Sequence, residues 1–387
     1  MRTSGNKMII GIDLRCVPPT GEPGAGVAHA ARAMALALLG LDRKHVWVVY
    51  MRADAEALDL QGANARIVKL SSASGAALRE AMREAPCELL FVPSGAVSPG
   101  LSVPCVPWSH DIAIFDHPEW FPQNMFKRML TTNLYRRGLL RAPVILTISD
   151  STKQEIVAHF KLEPERIFVT HAGGDAILAD LSGEALHQAK QRAKQRLAEH
   201  GVTQPFILCL GTLEPRKDIP TALEAWSIAR RWFDHPTDIV IAGRDGWKLG
   251  PIAHAFDEAR SFAGEGGSRI HRILSVSDDD RRDLLLAAEI VVIPSLHEGF
   301  SLVALEAMQA GTIVVASRVG ALPEVIGDCG MLLPPGDVQA WARAMADLMN
   351  GDENRLHIAE QGKARSQGMT WKRAAEVALY ALTNVVG

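Results

Sequence analysis

The chain alternates short apolar runs with longer segments in which apolar residues recur at helical spacing. The short runs are apolar on both faces and are bounded by turn residues, which is typical of buried parallel strands. In the first half we predict strands over residues 8–13, 45–50, 65–70, 88–93, 105–109, 144–148 and 167–171. In the second half we predict strands over residues 206–211, 238–243, 269–274, 290–294, 312–317 and 330–333. The alternation of strands and helices indicates βαβ units and an α/β fold.

A length of 387 residues exceeds what one hydrophobic core supports, so we expect two Rossmann-like domains. Residues 183–200 are rich in Ala, Lys, Gln and Arg and predict an exposed helix between the domains. The predicted division is an N-terminal domain over 1–182, a linker helix and loop over 183–205, a C-terminal domain over 206–369 and a last helix over 370–387. Ligands bind at the carboxyl ends of strands in such sheets, so we expect two domains facing across a cleft.

The composition is that of a packed globular protein, with 48% hydrophobic and 22% charged residues. The formal net charge of −3 provides no basic field, which makes nucleic acid an unsuitable partner. No apolar run has the roughly 18 residues of a membrane-spanning helix, and the start of the chain lacks a signal-peptide core, so any membrane contact is expected to be peripheral. The cysteines are odd in number and scattered, which fits a reducing cytoplasm better than a disulfide framework or a zinc site: Cys16, Cys87, Cys105, Cys209 and Cys329.

The most informative segment covers residues 297–311 and follows the predicted strand 290–294. Ser301 is a good N-cap and a glycine ends the segment, so a helix is predicted between them. This helix is almost entirely apolar, and Glu306 within it therefore needs a hydrogen-bonding partner. A ribose diol would supply two donors, and a neighbouring basic residue is the alternative. The backbone N–H groups at Gly299 and Ser301 suit a phosphate group.

Two further sites follow predicted strands. Arg216 and Lys217 stand side by side in the loop that leaves strand 206–211. Adjacent cations suit a diphosphate leaving group, whose developing charge must be neutralised, although such pairs are also common on solvated surfaces. His110 follows strand 105–109, on the ligand side of its sheet, and a purely structural hydrogen bond is its alternative role.

Together these segments resemble the retaining glycosyltransferases of family 4. Glu298 and Glu306 flank seven residues around Gly-Phe-Ser, which resembles the family's E-x7-E motif. Residues 214–218 resemble its Glu-Pro-Arg-Lys-Asn segment, with Asp218 where Asn is usual. Residues 107–122 resemble its His-Asp loop, and residues 370–375 resemble the start of its closing helix. The resemblance covers nearly the whole chain and implies the GT-B fold, in which the C-terminal helix crosses back to the first domain.

The resemblance also implies the roles of site residues. The implied catalytic residues are those that contact the transferred sugar or hold the donor diphosphate: His110, Glu298, Arg216 and Lys217. The implied donor-binding residues are Gly299, Phe300, Ser301, Leu302, Glu306, Ser149 and Gly26. In the resembled mechanism the leaving diphosphate accepts the acceptor's proton on the same face of the sugar, and no metal or cofactor is required.

Two of these assignments have simpler alternatives. Ser149 lies next to Thr152 and Glu155, which form a predicted capping box that starts a helix. Gly26 belongs to a Gly-x-Gly turn without the family's Gly-Arg-Tyr-like continuation, so the pattern indicates little about the acceptor. Residues 278–280 are consecutive aspartates, which we interpret as the dipole-complementing first turn of a helix and not as a metal site.

For the donor, the loops most resemble those of bacterial mannosyltransferases of surface polysaccharide and lipopolysaccharide assembly, which implies GDP-mannose. The acceptor would be a glycan or a lipid-linked saccharide. A UDP-hexose donor, a sugar phosphorylase or synthase of the same fold, and a non-catalytic nucleotide-sugar-binding protein are the alternatives. A dehydrogenase is disfavoured because no GxGxxG opens a helix after the first strand. Residues 125–141 combine apolar and basic residues in a pattern compatible with an anionic membrane surface at the inner face, or with packing on the helix's own domain.

Overall fold

The computed structural model describes residues 7–22, 24, 26–60, 62–262, 267–351 and 354–384. The elements up to the last strand of the first sheet are β1 (Ile9–Asp13), α1 (Gly26–Leu41), β2 (Val46–Arg52), β3 (Ala65–Leu70), α2 (Gly75–Glu84), β4 (Leu89–Val92), β5 (Cys105–Ser109), α3 (Ala113–Asp116), α4 (Met125–Arg141), β6 (Ile145–Thr147), α5 (Asp150–Phe160) and β7 (Ile167–Val169).

The remaining elements are α6 (Ala176–Asp180), α7 (Gly183–Glu199), β8 (Phe206–Leu210), α8 (Ile219–Ala229), β9 (Asp238–Ala242), α9 (Gly250–Phe262), β10 (Ile270–Ile273), α10 (Asp278–Ala287), β11 (Ile290–Ile293), α11 (Leu302–Gln309), β12 (Ile313–Ser317), α12 (Leu322–Ile326), β13 (Met331–Leu333), α13 (Val338–Met349), α14 (Arg355–Ser366) and α15 (Trp371–Asn384). Every predicted strand is confirmed, with ends that differ by two residues at most.

The chain divides into two compact units. The first comprises Met1–Pro118, Gln123–Gly173 and Thr370–Gly387, and the second comprises Glu119–Pro122 and Gly174–Met369. The predicted linker helix is observed as α7, which packs against α10 inside the second unit. The predicted last helix is observed as α15, which packs against α1 in the first unit, and residues 385–387 lie outside the described part of the chain.

Each unit is built on one parallel sheet, so the predicted pair of Rossmann-like domains is confirmed. The strand order is β3-β2-β1-β4-β5-β6-β7 in the first sheet and β10-β9-β8-β11-β12-β13 in the second. All pairings between these strands are parallel. The order reverses between β1 and β4 and between β8 and β11, and such reversals open a crevice at the carboxyl ends of the strands.

The second sheet is stabilised by helices that cover it with bulky apolar side chains. Trp226 on α8 and Trp341 on α13 are fully buried, and these two helices pack against each other. The indole N–H of Trp226 donates to the carbonyl of Thr237 at 3.1 Å, and that of Trp341 donates to the carbonyl of Pro334 at 3.1 Å. Both indoles therefore bury their apolar surface without leaving an unpaired donor.

Candidate active site

The order of the second sheet brings the two most informative loops together. β8 and β11 are hydrogen-bonded neighbours, so the loops that leave their carboxyl ends meet at the point where the strand order reverses. The backbone N–H of Leu296 after β11 donates to the carbonyl of Arg216 after β8, at 2.8 Å. Residues far apart in the chain thus form one continuous surface, as the sequence pattern predicted for a crevice of this fold.

Glu298 is held by cations from the neighbouring loop. Its Oε1 accepts from Lys217 Nζ at 2.5 Å and from Ser295 Oγ at 2.7 Å. Its Oε2 accepts from Arg216 Nη1 at 3.0 Å. The residue is only 5% exposed, so these hydrogen bonds are charge-assisted and largely shielded from water. The structure therefore brings together Glu298, Arg216 and Lys217, all three of them predicted site residues.

This arrangement fixes the charge state of Glu298. Burial opposes ionisation, but the positive charges of Lys217 and Arg216 outweigh it and lower the pKa of Glu298 to about 2. Glu214 adds a second carboxylate, which accepts from Arg216 Nη2 at 2.7 Å. Two cations and two carboxylates leave this cluster with no net charge. A diphosphate placed here would be the excess anion, so it must share the N–H donors of Arg216 and Lys217 with Glu298.

A pocket in the second unit adjoins the cluster. Its lining includes Gly211, Lys217, Ser295 and Ser301. Ser301 caps α11, because its hydroxyl accepts from the backbone N–H of Ala304 at 3.3 Å. The pocket thus combines an ammonium group with the positive end of a helix dipole, which is the combination that phosphate groups favour.

The start of α11 depends on close backbone contacts. Ser301 has φ 79°, a left-handed conformation that is rare for residues other than glycine, asparagine and aspartate. The carbonyl of Glu298 accepts from the N–H of Ala321 at 2.9 Å. A Cβ at Gly320 would lie 2.3 Å from that carbonyl oxygen, and Gly320 also has positive φ, so only glycine fits there. Phe300, between Glu298 and Ser301, is buried, with 3% of its surface exposed. Local strain at Ser301 is thus maintained by contacts on both sides of the motif.

Glu306 lies on α11 as predicted and is 2% exposed, but it already has a basic partner. Its carboxylate forms an ion pair with Arg281 of α10. Burial raises the pKa of Glu306 to about 7 even though Arg281 opposes the shift. The alternative raised from the sequence, a neighbouring basic residue, is therefore what the structure places beside this carboxylate.

A network that sequence reasoning missed extends from Arg281. Asp175 accepts from Arg281 Nη2 at 3.0 Å and from Arg282 Nε at 2.8 Å, and its side chain also caps α6. The backbone N–H of Asp175 donates to Gln309 Oε1 on α11 at 2.9 Å. In the sequence, the available sign of this network was the pair Arg281 and Arg282, which directly follows three aspartates in α10. Their partner, more than 100 residues earlier in the chain, could not be found from local spacing.

The prediction that the aspartates at 278–280 form the first turn of a helix is confirmed. Ser277 and Asp280 form a capping box at the start of α10. Asp279 forms an ion pair with Arg282 at 2.8 Å, and Asp278 forms one with Arg281 at 3.5 Å. These carboxylates are therefore engaged within their own helix.

In the first unit, His110 lies at the carboxyl end of β5. Its Nε2 donates to the carbonyl of Pro93 at 2.8 Å, which fixes the tautomer with Nδ1 as the acceptor. Burial lowers the pKa of His110, so the ring is neutral near pH 7. The indole of Trp108 packs against it with ring centroids 4.5 Å apart. A neutral imidazole in a fixed orientation is suited to accept a hydrogen bond from a hydroxyl group.

The other predicted residues of the first unit lie at helix starts. Ser149 is the N-cap of α5, and its buried hydroxyl accepts from the N–H of Thr152 at 3.0 Å. The predicted capping box was wrong in register, because the cap is Ser149 and the helix already starts at Asp150. Gly26 is the first residue of α1 and is exposed, and a Cβ there would meet no atom within 4 Å.

The fold and the loop cluster define a class: a two-domain Rossmann-like chain with a pocket, lined by Lys217 and the start of α11, where the second sheet reverses its strand order. Comparison with known proteins gives a family match within the second unit. Residues 182–365 match the family described as Glycosyl transferases group 1. The predicted resemblance to family 4 glycosyltransferases of the GT-B fold is thereby confirmed.

Known relatives and structures agree with this assignment. The chain is 32% identical to O-antigen chain mannosyltransferase B of Escherichia coli over 68% of this chain and 66% of that protein. It is 29% identical to the serotype-specific mannosyltransferase WbdA of Escherichia coli over 64% of this chain and 29% of that protein. The chain therefore spans about two thirds of the first relative's length and under a third of the second's. In fold it is similar to sucrose-phosphate synthase of Thermosynechococcus elongatus, with a TM-score of 0.76, 18% identity, and coverage of 98% of this chain and 100% of that chain.

Proposed function

We propose that this protein is a metal-independent retaining glycosyltransferase that moves a hexose from a nucleotide sugar to an acceptor. The proposal rests mainly on one observation. Lys217 and Arg216 donate hydrogen bonds to Glu298 beside the N-terminus of α11. The adjoining pocket is lined by Lys217 and by Ser301 at the start of α11, which are groups that suit a phosphate. The relatives named above are mannosyltransferases, which supports the same class of reaction.

In the proposed mechanism the chain supplies positioning and electrostatics. The donor diphosphate binds Arg216, Lys217 and the start of α11 at Gly299, Ser301 and Leu302, which neutralise the charge that develops on the leaving group. Glu298 keeps the two cations in place, and its low pKa and three hydrogen bonds make it a poor nucleophile. The leaving diphosphate then accepts the acceptor's proton on the same face of the sugar, so the anomeric configuration is retained.

Four further residues take the donor-contacting roles that the family resemblance implies. His110 accepts a hydrogen bond from a hydroxyl of the transferred sugar through Nδ1. Glu306 accepts from the ribose hydroxyls, which requires its carboxylate to exchange part of its contact with Arg281. Ser149 and Gly26 contribute from the helix starts of the first unit.

We propose GDP-mannose as the donor, supported by the mannosyltransferase names of the sequence relatives. The acceptor is a glycan or a lipid-linked saccharide in bacterial polysaccharide or lipopolysaccharide biosynthesis. The reaction takes place in the cytoplasm, which is consistent with five free cysteines, at the inner face of the membrane. A UDP-hexose-dependent transferase of the same fold is the second candidate.

The experiment is to incubate the purified protein with GDP-mannose or UDP-glucose and a set of glycan and lipid-linked saccharide acceptors in EDTA, and to measure nucleoside diphosphate release. Release of GDP, with UDP-glucose inert, is the expected result, and loss of release in Lys217→Met ties it to this site. Release of UDP alone would mean that the donor is a UDP-hexose and not GDP-mannose. No release with either donor, together with normal nucleotide binding, would instead support a non-catalytic nucleotide-sugar-binding protein.

A further inference from the structure

Helix α4 carries an exposed surface that the proposed transfer reaction does not use. Met125, Phe126, Met129 and Leu130 occupy its first two turns and are 77%, 73%, 60% and 52% exposed. Large apolar side chains grouped in this way usually mark a contact with another molecule. We name this group, with the cations described next, the α4 surface.

Basic residues along the whole of α4 bring positive charge to the same surface. The basic residues of the helix are Lys127, Arg128, Arg136, Arg137 and Arg141, and the helix contains no acidic residue. None of these side chains pairs with a carboxylate in the described parts of the chain. Uncompensated cations on one short helix create a local positive potential on a protein whose net charge is −3.

The geometry of the helix explains why both groups face outward. The side of α4 that faces its own unit is marked by the buried residues Gly138 and Leu139, and by Tyr135, whose hydroxyl lies 2.6 Å from Ser109 Oγ. At 3.6 residues per turn, Phe126, Met129 and Leu130 lie on the opposite side, and so do Arg136 and Arg137. The amphipathic pattern expected from the sequence is therefore corrected: exposed apolar residues of the first two turns share the outer side with Arg136 and Arg137.

Because apolar and cationic groups are adjacent, we propose that the α4 surface docks on an anionic lipid bilayer. Arginine and lysine heads pair with lipid phosphates, while Phe126 and Leu130 enter the boundary between headgroups and acyl chains. A second copy of this chain is a poorer occupant, because two such surfaces would bring uncompensated cations together. Among the described residues no helix is long and apolar enough to cross a bilayer.

The anchoring of α4 suits this role. Asn124 caps its first turn by accepting from the N–H of Lys127 at 2.9 Å. At the other end Arg166 donates to the carbonyl of Ala142, directly after the last turn. The first turn is thus capped and the end of the helix is fixed to the first unit, so the exposed side chains are displayed on a preformed helix and insertion does not require folding. The proposal goes beyond the proposed transfer function and does not depend on the identity of the donor.

The test is co-sedimentation of the full chain with vesicles of phosphatidylcholine alone or with about 30 mol% phosphatidylglycerol. Binding is expected only to the anionic vesicles and should weaken as salt rises from about 0.1 M to about 0.5 M. Replacing Arg136, Arg137 and Arg141 by alanine should reduce binding on the order of 100-fold, at about fivefold per cation. Phe126→Ser combined with Leu130→Ser should abolish the binding that survives at high salt.

A matched control removes the same charge elsewhere. Arg83, Arg192 and Arg343 are exposed on other helices, and the triple alanine variant should bind vesicles about as well as the natural chain, apart from a small general charge effect. Equal binding by this control and the α4 arginine variant would overturn the proposal. So would the absence of binding to anionic vesicles, or concentration-dependent self-association that Phe126→Ser removes. Nucleotide-induced thermal stabilisation, measured in every variant, reports failure of the proposed function separately.

Discussion

Lys217 Nζ and Glu298 Oε1 lie 2.5 Å apart, although 80 residues separate these side chains along the sequence. The contact exists because β8 and β11 are neighbours at the reversal of the second sheet, and each residue sits in the loop that follows its strand. Both charges are mostly buried, with side-chain exposures of 20% and 6%. Removal of either partner therefore leaves a charge with little access to water.

The first prediction concerns stability. Glu298→Gln should lower the free energy of unfolding at pH 7 by roughly 3–5 kcal/mol, because it leaves Lys217 without a counter-charge and Arg216 with Glu214 alone. Urea denaturation measures this change. Glu289→Gln is the matched control: its carboxylate also pairs with two cations, but its side chain is 24% exposed, so a smaller loss is expected. Equal losses of unfolding free energy would mean that the deeper burial of Glu298 does not increase the cost of removing its charge.

The second prediction follows from the pKa of Glu298, which is about 2 in the folded protein against an ordinary value of 4.5. A lowered carboxyl pKa contributes stability that is fully present above about pH 4.5 and is lost as the pH falls toward 2. The natural chain should therefore lose stability in this window more steeply than Glu298→Gln. Urea unfolding of both proteins at a series of acidic pH values checks this. If the free energy of unfolding depends on pH equally in the two proteins, the assigned charge state of Glu298 is wrong.

The third prediction concerns turnover. Lys217→Met should reduce kcat on the order of 100-fold or more, because one charge that stabilises the leaving diphosphate is lost. Lys194→Met is the control, since Lys194 forms an ion pair of the same kind with Glu289 on the surface. Steady-state kinetics of nucleoside diphosphate release should show near-normal turnover for the control. A normal kcat for Lys217→Met would remove Lys217 from the proposed mechanism.

The fourth prediction separates two roles of Glu306. Because burial raises its pKa to about 7, its ionised fraction grows between pH 6 and 8, and an ionised carboxylate accepts hydrogen bonds from ribose better. Donor affinity should therefore rise across this range in the natural chain and stay flat in Glu306→Gln. Calorimetric titration at several pH values measures this.

Asp283→Asn is the control for Glu306, because Asp283 is another nearly buried carboxylate paired with an arginine, Arg196. It should lower stability and leave donor affinity and its pH dependence unchanged. If Glu306→Gln behaves in the same way, then the ion pair with Arg281 is the whole role of Glu306.

The sequence predicted the strands well because most are apolar runs closed by turn residues, although the edge strands β3 and β10 also carry basic residues. It also pointed to loops after two strands of the second half, and the structure places both strands, β8 and β11, at the centre of the second sheet. It did not predict Asp175, whose partners Arg281 and Arg282 lie on a helix distant in the chain. It misplaced the cap of α5 because Ser149 and Thr152 are both good caps and only the backbone conformation distinguishes them.

The central claim is that the pocket at Lys217 and the start of α11 binds the diphosphate of a nucleotide sugar. The most direct measurement is thermal stability of the natural chain and of Lys217→Met with GDP, GDP-mannose, UDP, UDP-glucose and ADP, in EDTA throughout. GDP and GDP-mannose are expected to raise the thermal stability of the natural chain. The same nucleotides should raise the thermal stability of Lys217→Met much less. Selective stabilisation by UDP compounds would support the same site with a UDP-hexose as the donor. No stabilisation by any nucleotide, or undiminished stabilisation in Lys217→Met, would contradict binding of the diphosphate at this pocket.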